Sequence, residues 1–327
     1  MKKIFAILLV FGMLLAATGC SKGTTPNPNA SSQITHVGVI QLADNGAFTD
    51  MREGFINKIR ALGYSADKMV FDYKNANGDT ATLNSICQTM VGDKKDFIVT
   101  IGTPASQAIV NMNSGIPVFF ISVSNPVGAA IISDMNTPDK NATGTSNAIP
   151  VGEMFKLSAK LTPNRQTYGL IYNTGEINSV TTIKNAKTYM DQNGLKYKEA
   201  VVTSSSEVQQ AAQSLVGKVD AFFIPNDSMV QSAMPQVAEI AKKAKIPVYG
   251  SSAVMMQSGA FATISIDDIT IGGITAEMAD KFLKGTPMAK IPSITVTDFT
   301  TVINKTTADA IGVTIPQDVL NKAKVIQ

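Results

Sequence analysis

Two similar α/β lobes, each a doubly wound parallel sheet covered by helices, joined by a hinge that the chain crosses more than once, are the fold class the sequence predicts. Three observations predict it. From Thr35 onward, short runs rich in Val, Ile and Phe alternate with helix-period patterns, and such alternation builds parallel sheets with helices on both faces. The same order then restarts in the second half, with details in register. Ala61-Leu62-Gly63-Tyr64 is answered by Gln192-Asn193-Gly194-Leu195, Asp96-Phe97-Ile98-Val99 by Asp220-Ala221-Phe222-Phe223, and Ile116-Pro117-Val118-Phe119 by Ile246-Pro247-Val248-Tyr249. A repeated supersecondary order is the mark of repeated architecture. Finally, the segment from Phe261 on is too short for a third domain, so it must complete the two lobes.

In the first lobe the strand runs fall at 37–40, 69–73, 97–101 and 118–121. Helices are expected over about 50–62, 79–92 and 104–113; in the first of these, Met51, Phe55, Ile59 and Leu62 recur on one face, the period of a helix rather than a strand. In the second lobe the strands fall at 167–172, 197–202, 221–224 and 247–250, with helices near 178–193, 207–216 and 228–244. The tail adds a strand over 262–266, a helix over about 268–284 and a strand over 298–303. The division expected is 34–150 plus 254–293 for one lobe and 151–253 plus 294–327 for the other.

Ahead of the lobes, residues 1–20 read MKKIFAILLVFGMLLAATGC: two lysines, an apolar run and small residues ending in a cysteine. The run is shorter than the roughly 18 to 20 residues that span a bilayer, so 1–19 reads as a signal peptide. The ending resembles a bacterial lipobox, with Ala17 where such boxes usually carry Leu, and makes Cys20 the expected lipidated residue. Its acyl chains, at about 0.8 kcal/mol per buried methylene, would anchor the protein to a membrane. Residues 20–33, rich in Ser, Thr, Asn and Pro, form the tether.

Composition excludes several classes. The chain has 327 residues, one His, two Cys and no Trp. His36, Cys20 and Cys87 are too few for a zinc or iron-sulfur site, and His36 stands where the first strand begins, a poor place for a triad base. Cys87 falls in an apolar helical set with Leu83, Ile86 and Met90, the setting of a buried inert thiol. The net charge of +3 is weak and only Arg52, Arg60 and Arg165 are arginines, so no basic patch for nucleic acid is visible. Gly102-Thr103-Pro104 is no phosphate loop. The reading is of a protein that is not an enzyme, takes no cofactor and acts as a monomer.

In open parallel sheets, ligands bind beyond the carboxyl ends of the strands. The loops there are polar but carry little charge, and hydroxyls, amides and free N–H groups at helix starts suit a carboxylate. The candidate ligand contacts are Asn45, Phe48, Asn75, Thr103, Ser106, Ser124, Asn125, Asn173, Asp227, Ser251 and Asp267. Each has a plainer reading. Asp227 and one of Asp267 and Asp268 could cap the helices that follow them, and Asn75, Thr103, Ser106 and Asn125 could serve turns and caps. Phe48, Tyr73 and Tyr172 could sandwich an aromatic ligand or pack core and rim. Glu176 reads as solvated.

The residues also carry a family resemblance. Asp72-Tyr73-Lys74-Asn75-Ala76-Asn77-Gly78-Asp79, Thr103-Pro104-Ala105-Ser106-Gln107-Ala108, Asn125-Pro126-Val127-Gly128-Ala129, Tyr172-Asn173, Ser204-Ser205-Ser206-Glu207-Val208-Gln209-Gln210-Ala211-Ala212 and Ile315-Pro316 resemble, in order, the extracytoplasmic solute-binding components of ABC importers. The family includes tryptophan- and tyrosine-binding lipoproteins. It implies a periplasmic-binding-protein type I fold, closing by hinge motion on a small-molecule ligand and docking on permease transmembrane subunits with a cytoplasmic ATPase. The expected ligand bears a carboxylate, an aromatic or other hydrophobic amino acid among the choices, with a sugar or nucleoside as the alternative. A membrane-tethered sensor presenting its solute to a receptor is the alternative role. Three places depart from the family pattern: Asn45-Gly46-Ala47-Phe48-Thr49 replaces a His-x-Ala-Leu-Asp run, Asn125 replaces an Asp before Pro126, and Ser252 replaces a Glu. Asp227 stands at the family's Pro-Thr-Asp position, which makes it the implied ammonium acceptor for an amino acid.

Overall fold

A strand covered on both faces must be apolar at nearly every position, and the runs FIVTI and VFFISV, at 97–101 and 118–123, are buried throughout. They form the middle of the first sheet in this computed structural model, which describes residues 34–327. The expected signal peptide and tether, with Cys20, lie outside the described residues.

The first half runs β1 (Thr35–Gln41), α1 (Gly46–Ala61), β2 (Met69–Asn75), α2 (Thr80–Gly92), β3 (Phe97–Ile101), α3 (Thr103–Val110), β4 (Val118–Val123) and β5 (Ala142–Ser146). The second runs α4 (Val151–Leu161), β6 (Thr167–Asn173), α5 (Ile177–Gln192), β7 (Lys196–Val202), α6 (Val208–Leu215), β8 (Ala221–Phe223), α7 (Ser228–Ser232), α8 (Met234–Lys243), β9 (Val248–Tyr249), α9 (Ala253–Gln257) and β10 (Ala262–Ser265). The chain ends with α10 (Asp268–Leu283), β11 (Ile294–Thr295), β12 (Thr300–Asn304), α11 (Lys305–Ile311), α12 (Gln317–Leu320) and β13 (Lys324–Ile326). Strand order is β11-β5-β4-β3-β1-β2 in the first sheet and β13-β12-β10-β9-β8-β6-β7 in the second. The cores of both lobes thus share one order, the second strand outside the first, and among the described residues the only antiparallel pair is β10 with β12. In this order a crevice opens beyond the strand ends where the winding reverses, between β1 and β3 and between β6 and β8.

The sequence locates these elements better than it assigns them to lobes. β10, expected with the first lobe, pairs with β9 and β12 in the second sheet, and β11, expected with the second, pairs with β5 in the first. Apolar pattern announces a strand but carries no record of its neighbour. The expected helix over 228–244 is two helices, because Pro235 opens α8 and Ala233 ends α7. β5 (ATGTS) is missed because it is buried without a bulky residue.

After β10 the chain returns to the first lobe, where α10 lies on α1. The approach is very close: a Cβ at Gly54 would meet the Ile269 carbonyl and one at Gly272 the Met51 carbonyl. Across the cleft, Met229 of α7 is buried in the first lobe's cluster with Leu42, Ala76 and Leu83. Gln231 Nε2 donates to Asn45 Oδ1 at 3.2 Å, and Val254 of α9 abuts Gly46 of α1. The lobes are therefore closed on each other. Removing a buried Met side chain costs about 1.5 to 3 kcal/mol. Met229→Ala is expected to lower ligand affinity about tenfold or more and to enlarge the radius of gyration of the ligand-free protein in small-angle scattering. Unchanged scattering and affinity would mean that closure does not lean on this contact.

Candidate functional site

A cavity lies between the lobes. Its apolar wall is the first turn of α1. Asn45 caps that helix, accepting from the Phe48 N–H at 2.9 Å, which is the usual task of an Asn before a helix. The cap directs Ala47, Phe48 and Met51 to the cavity. The Phe48 ring lies across Gly102, whose φ of +80° suits glycine and where an added Cβ would stand 2.9 Å from Cζ.

Beside this wall the lining is rich in hydrogen-bonding groups. α3 starts at Thr103 with no side-chain cap, leaving its first N–H groups for an anion. Thr103, Ser122 and Ser124 add hydroxyls to the lining. Ser122 adopts φ of +61°, and its hydroxyl accepts from Asn147 Nδ2 at 3.2 Å. The bend after β4 thereby brings two serines to the cavity.

The second lobe supplies acids and an amide. Asp227 is 1% exposed. Its Oδ1 accepts from the N–H groups of Met229 and Val230 at 3.1 and 3.0 Å, and its Oδ2 from Asn173 N–H at 2.6 Å. It both caps α7 and lines the cavity. Beneath it, Glu176 is buried, with both oxygens 3.1 Å from the Ser228 N–H, so the expectation that Glu176 is solvated is corrected. It folds under the Asp227 loop because a helix start there offers an otherwise unpaired donor. Asn178 Nδ2 donates to the Asn226 carbonyl at 2.6 Å. Since a carbonyl can only accept, that bond fixes the amide's orientation, and Oδ1 has no partner among the described residues.

Burial, and then the facing Asp227 carboxylate, push Glu176 up to about 8; burial also raises Asp227. Two buried carboxyls coupled in this way resist both being ionised. A carboxyl whose folded pKa lies above its unfolded value keeps its proton longer in the folded state. The stability it carries is full below the ordinary value of 4.5 and is lost as pH rises through about 8. The melting temperature should therefore fall between about pH 5 and pH 8, and Glu176→Gln should flatten the decline. An equal slope in the variant would clear Glu176 of the effect.

Asp268 completes the lining from the first turn of α10. It is 6% exposed, and burial, with the negative charges of Asp50 and Asp267 adding to it, raises its carboxyl well above the usual range. Among the described residues no side-chain or backbone donor is hydrogen-bonded to it.

Of the residues expected from sequence, Phe48, Thr103, Ser124 and Asp227 stand on this cavity. Asn45 meets Gln231 across the cleft, and Asn173 lies behind Asp227. Others are placed elsewhere. Asn75 closes a turn by accepting from Asn77 N–H at 3.0 Å. Ser106 is buried against Thr100 Oγ1 at 2.8 Å, Ser251 is buried with its Oγ unpartnered off the lining, and Asp267 is the exposed cap of α10. Asn125 accepts from Gly128 N–H and faces a smaller recess shared by Thr103 and Asn178. Tyr73 stacks on Arg52, whose Cζ is 4.2 Å from its ring, and Tyr172 donates to Glu199 at 2.8 Å, so neither ring reaches the cavity. Cys87 is fully buried, and burial raises its thiol to about 11. Met51, Asn147, Asn178, Ser228, Gln231 and Asp268 were missed. Several sit inside helices, one turn past the loops, and Asp268 was legible only as half of an acidic pair.

Residues 36–326 match the family model described as ABC transporter substrate binding protein. The chain is 33% identical over 319 residues to the tyrosine-binding protein of Clostridioides difficile (strain R20291), covering 95% of this chain and 92% of that one. Among solved structures, an ABC domain in complex with L-Trp from Streptococcus pneumonia is 30% identical with TM-score 0.86, covering 90% of this chain and 100% of that one. The ligand-free, open structure of a substrate binding protein with adhesive properties from Clostridium difficile is 33% identical with TM-score 0.66, covering 90% and 99%.

Proposed function

Because the chain belongs to the family of ABC transporter substrate-binding proteins, we propose that it captures an aromatic amino acid, tyrosine or tryptophan, between its lobes and delivers it to an ABC permease driven by a cytoplasmic ATPase. The observation that carries this reading is the division of one cavity into an apolar wall from α1 and a polar wall combining the α3 start with hydroxyls and buried acids. An amino acid has those two halves. Its carboxylate fits the α3 N-terminus with Thr103 and Ser124, its ammonium the Asn178 Oδ1 and Asp227 side, and its ring Phe48 and Met51. The similarity to a tyrosine-binding protein and to a structure in complex with L-Trp supports the same choice. Closure over the ligand is a population shift of a few kcal/mol, which the permease reads. A lipid on Cys20 would hold the lobes at the outer face of a membrane, as a monomer.

A thermal-shift panel of amino acids, short peptides, nucleosides and sugars tests the proposal. A ligand at about a hundred times its Kd adds about 2.7 kcal/mol, seen as several degrees. Tyrosine or tryptophan should shift the melt; a shift by a sugar or nucleoside alone would overturn the assignment. Gly102→Ala provides a local check. Its Cβ would press on the Phe48 ring and strain the backbone at φ +80°, and overpacking alone costs about 1 to 3 kcal/mol. Titration calorimetry should find tyrosine binding weakened about tenfold or more, and unaltered affinity would remove Phe48 from the ligand wall.

A further inference from the structure

We propose that Asp268 selects among aromatic amino acids by taking the polar hydrogen on the ligand's ring, the phenol O–H or indole N–H, and so turns away phenylalanine. The inference rests on the reading of the cavity as an amino-acid site. Asp268 lines the cavity, is 6% exposed, and has no hydrogen-bonding partner among the described residues. A buried carboxyl group without a partner is costly, so the ligand that supplies the missing hydrogen bond gains what an unsubstituted ring cannot.

Position assigns it to the ring rather than to the amino-acid head. Asp268 lies in the first turn of α10 beside Ile269, whose carbonyl abuts Gly54 of α1; one turn further on, Gly272 abuts Met51. It therefore belongs to the side of the cavity that carries the apolar wall. The head has acceptors of its own, Asn178 Oδ1 and Asp227, on α5 and α7 of the other lobe. Asn178 also shares the adjoining recess with Thr103, which places one of those acceptors near the α3 start where the carboxylate fits. Burial, followed by the charges of Asp50 and Asp267, disposes Asp268 to hold a proton. The protonated group still accepts through its carbonyl oxygen, and its O–H can also meet a phenol oxygen.

Calorimetric titration of tyrosine, tryptophan and phenylalanine into the mature chain, as wild type, Asp268→Leu and Asp268→Asn, tests this. Wild type should prefer tyrosine or tryptophan to phenylalanine by about 100-fold or more, since a site built to hydrogen-bond a ligand group rejects the analogue lacking it. Asp268→Leu should bind phenylalanine at least as tightly as tyrosine. Asp268→Asn, of nearly the same shape, guards against a folding defect and should keep a reduced preference for the ring with a donor. Wild type binding phenylalanine within about threefold of tyrosine would overturn the proposal. So would an equal loss for all three ligands in both variants, which would make Asp268 an ammonium acceptor. Failure of all three to bind wild type would overturn the amino-acid reading and this inference with it.

Discussion

Replacing Asp227 by alanine is expected to abolish measurable tyrosine binding and to cost about 2 to 4 kcal/mol of stability. The carboxylate holds three backbone N–H groups, from Met229, Val230 and Asn173. Two belong to the first turn of α7, and loss of a helix cap costs about 0.5 to 2 kcal/mol. The third ties α7 to the end of β6, and leaving a buried N–H unpaired costs about 1 to 3 kcal/mol. The ligand effect has two routes. Asp227 faces the cavity, and α7 carries Met229 and Gln231, which meet the first lobe when the cleft closes. Asp227→Asn separates the cap from the charge, because its oxygen can still accept from Met229 and Val230. Its Nδ2 then faces the Asn173 N–H, so it should lose about 1 to 3 kcal/mol of stability, less than the alanine variant, and bind tyrosine at least tenfold more weakly. Wild-type affinity in the asparagine variant would reduce Asp227 to a helix cap.

The second large effect is expected from Gly272→Ala. A Cβ there would run into the Met51 carbonyl and stand 2.9 Å from the Phe55 backbone N, with no flexible side chain to give way. α10 would have to move off α1, and overpacking of this kind costs about 1 to 3 kcal/mol, occasionally more. The same displacement moves Met51 away from Asp268, so affinity for tyrosine should fall by at least tenfold together with the melting temperature. Gly273→Ala is the control on the same helix. Its Cβ would find nothing nearer than 3.8 Å, at Lys58. Trading glycine for alanine inside a helix favours folding by up to about 1 kcal/mol. Chemical denaturation of both variants should give shifts of opposite sign, and equal shifts would show that the α1–α10 approach is not what constrains Gly272.

Much of the molecule was legible in one dimension. β3 and β4 declare themselves as continuous apolar runs, and α1 by the recurrence of Met51, Phe55 and Ile59. The restart of the order after 166 revealed two lobes, which the matching strand orders bear out. Loop positions at strand ends gave Phe48, Thr103, Ser124 and Asp227, because in this architecture those ends converge whatever the details of packing. The same logic overreached at Asn75 and Ser106, since a loop residue can as readily close its own turn or fill the space beneath it. Glu176 was misjudged because a lone acid in a polar loop gives no local sign of being covered by another loop more than 50 residues away.

The sequence by itself determined what depends on neighbours along the chain: the two-lobed α/β plan, the family resemblance, the helix starts and the scarcity of groups that could do chemistry. Only the tertiary structure decided which sheet β10 and β11 join, that α10 crosses back onto α1 through Gly54 and Gly272, and that Asp268 rather than Asp267 faces the cavity. The physical reason is the reach of the interactions. Periodicity and capping act within a few residues and are written in local order. Strand partnership, desolvation of a carboxyl and the meeting of two lobes depend on surfaces that come together only when the whole chain has folded.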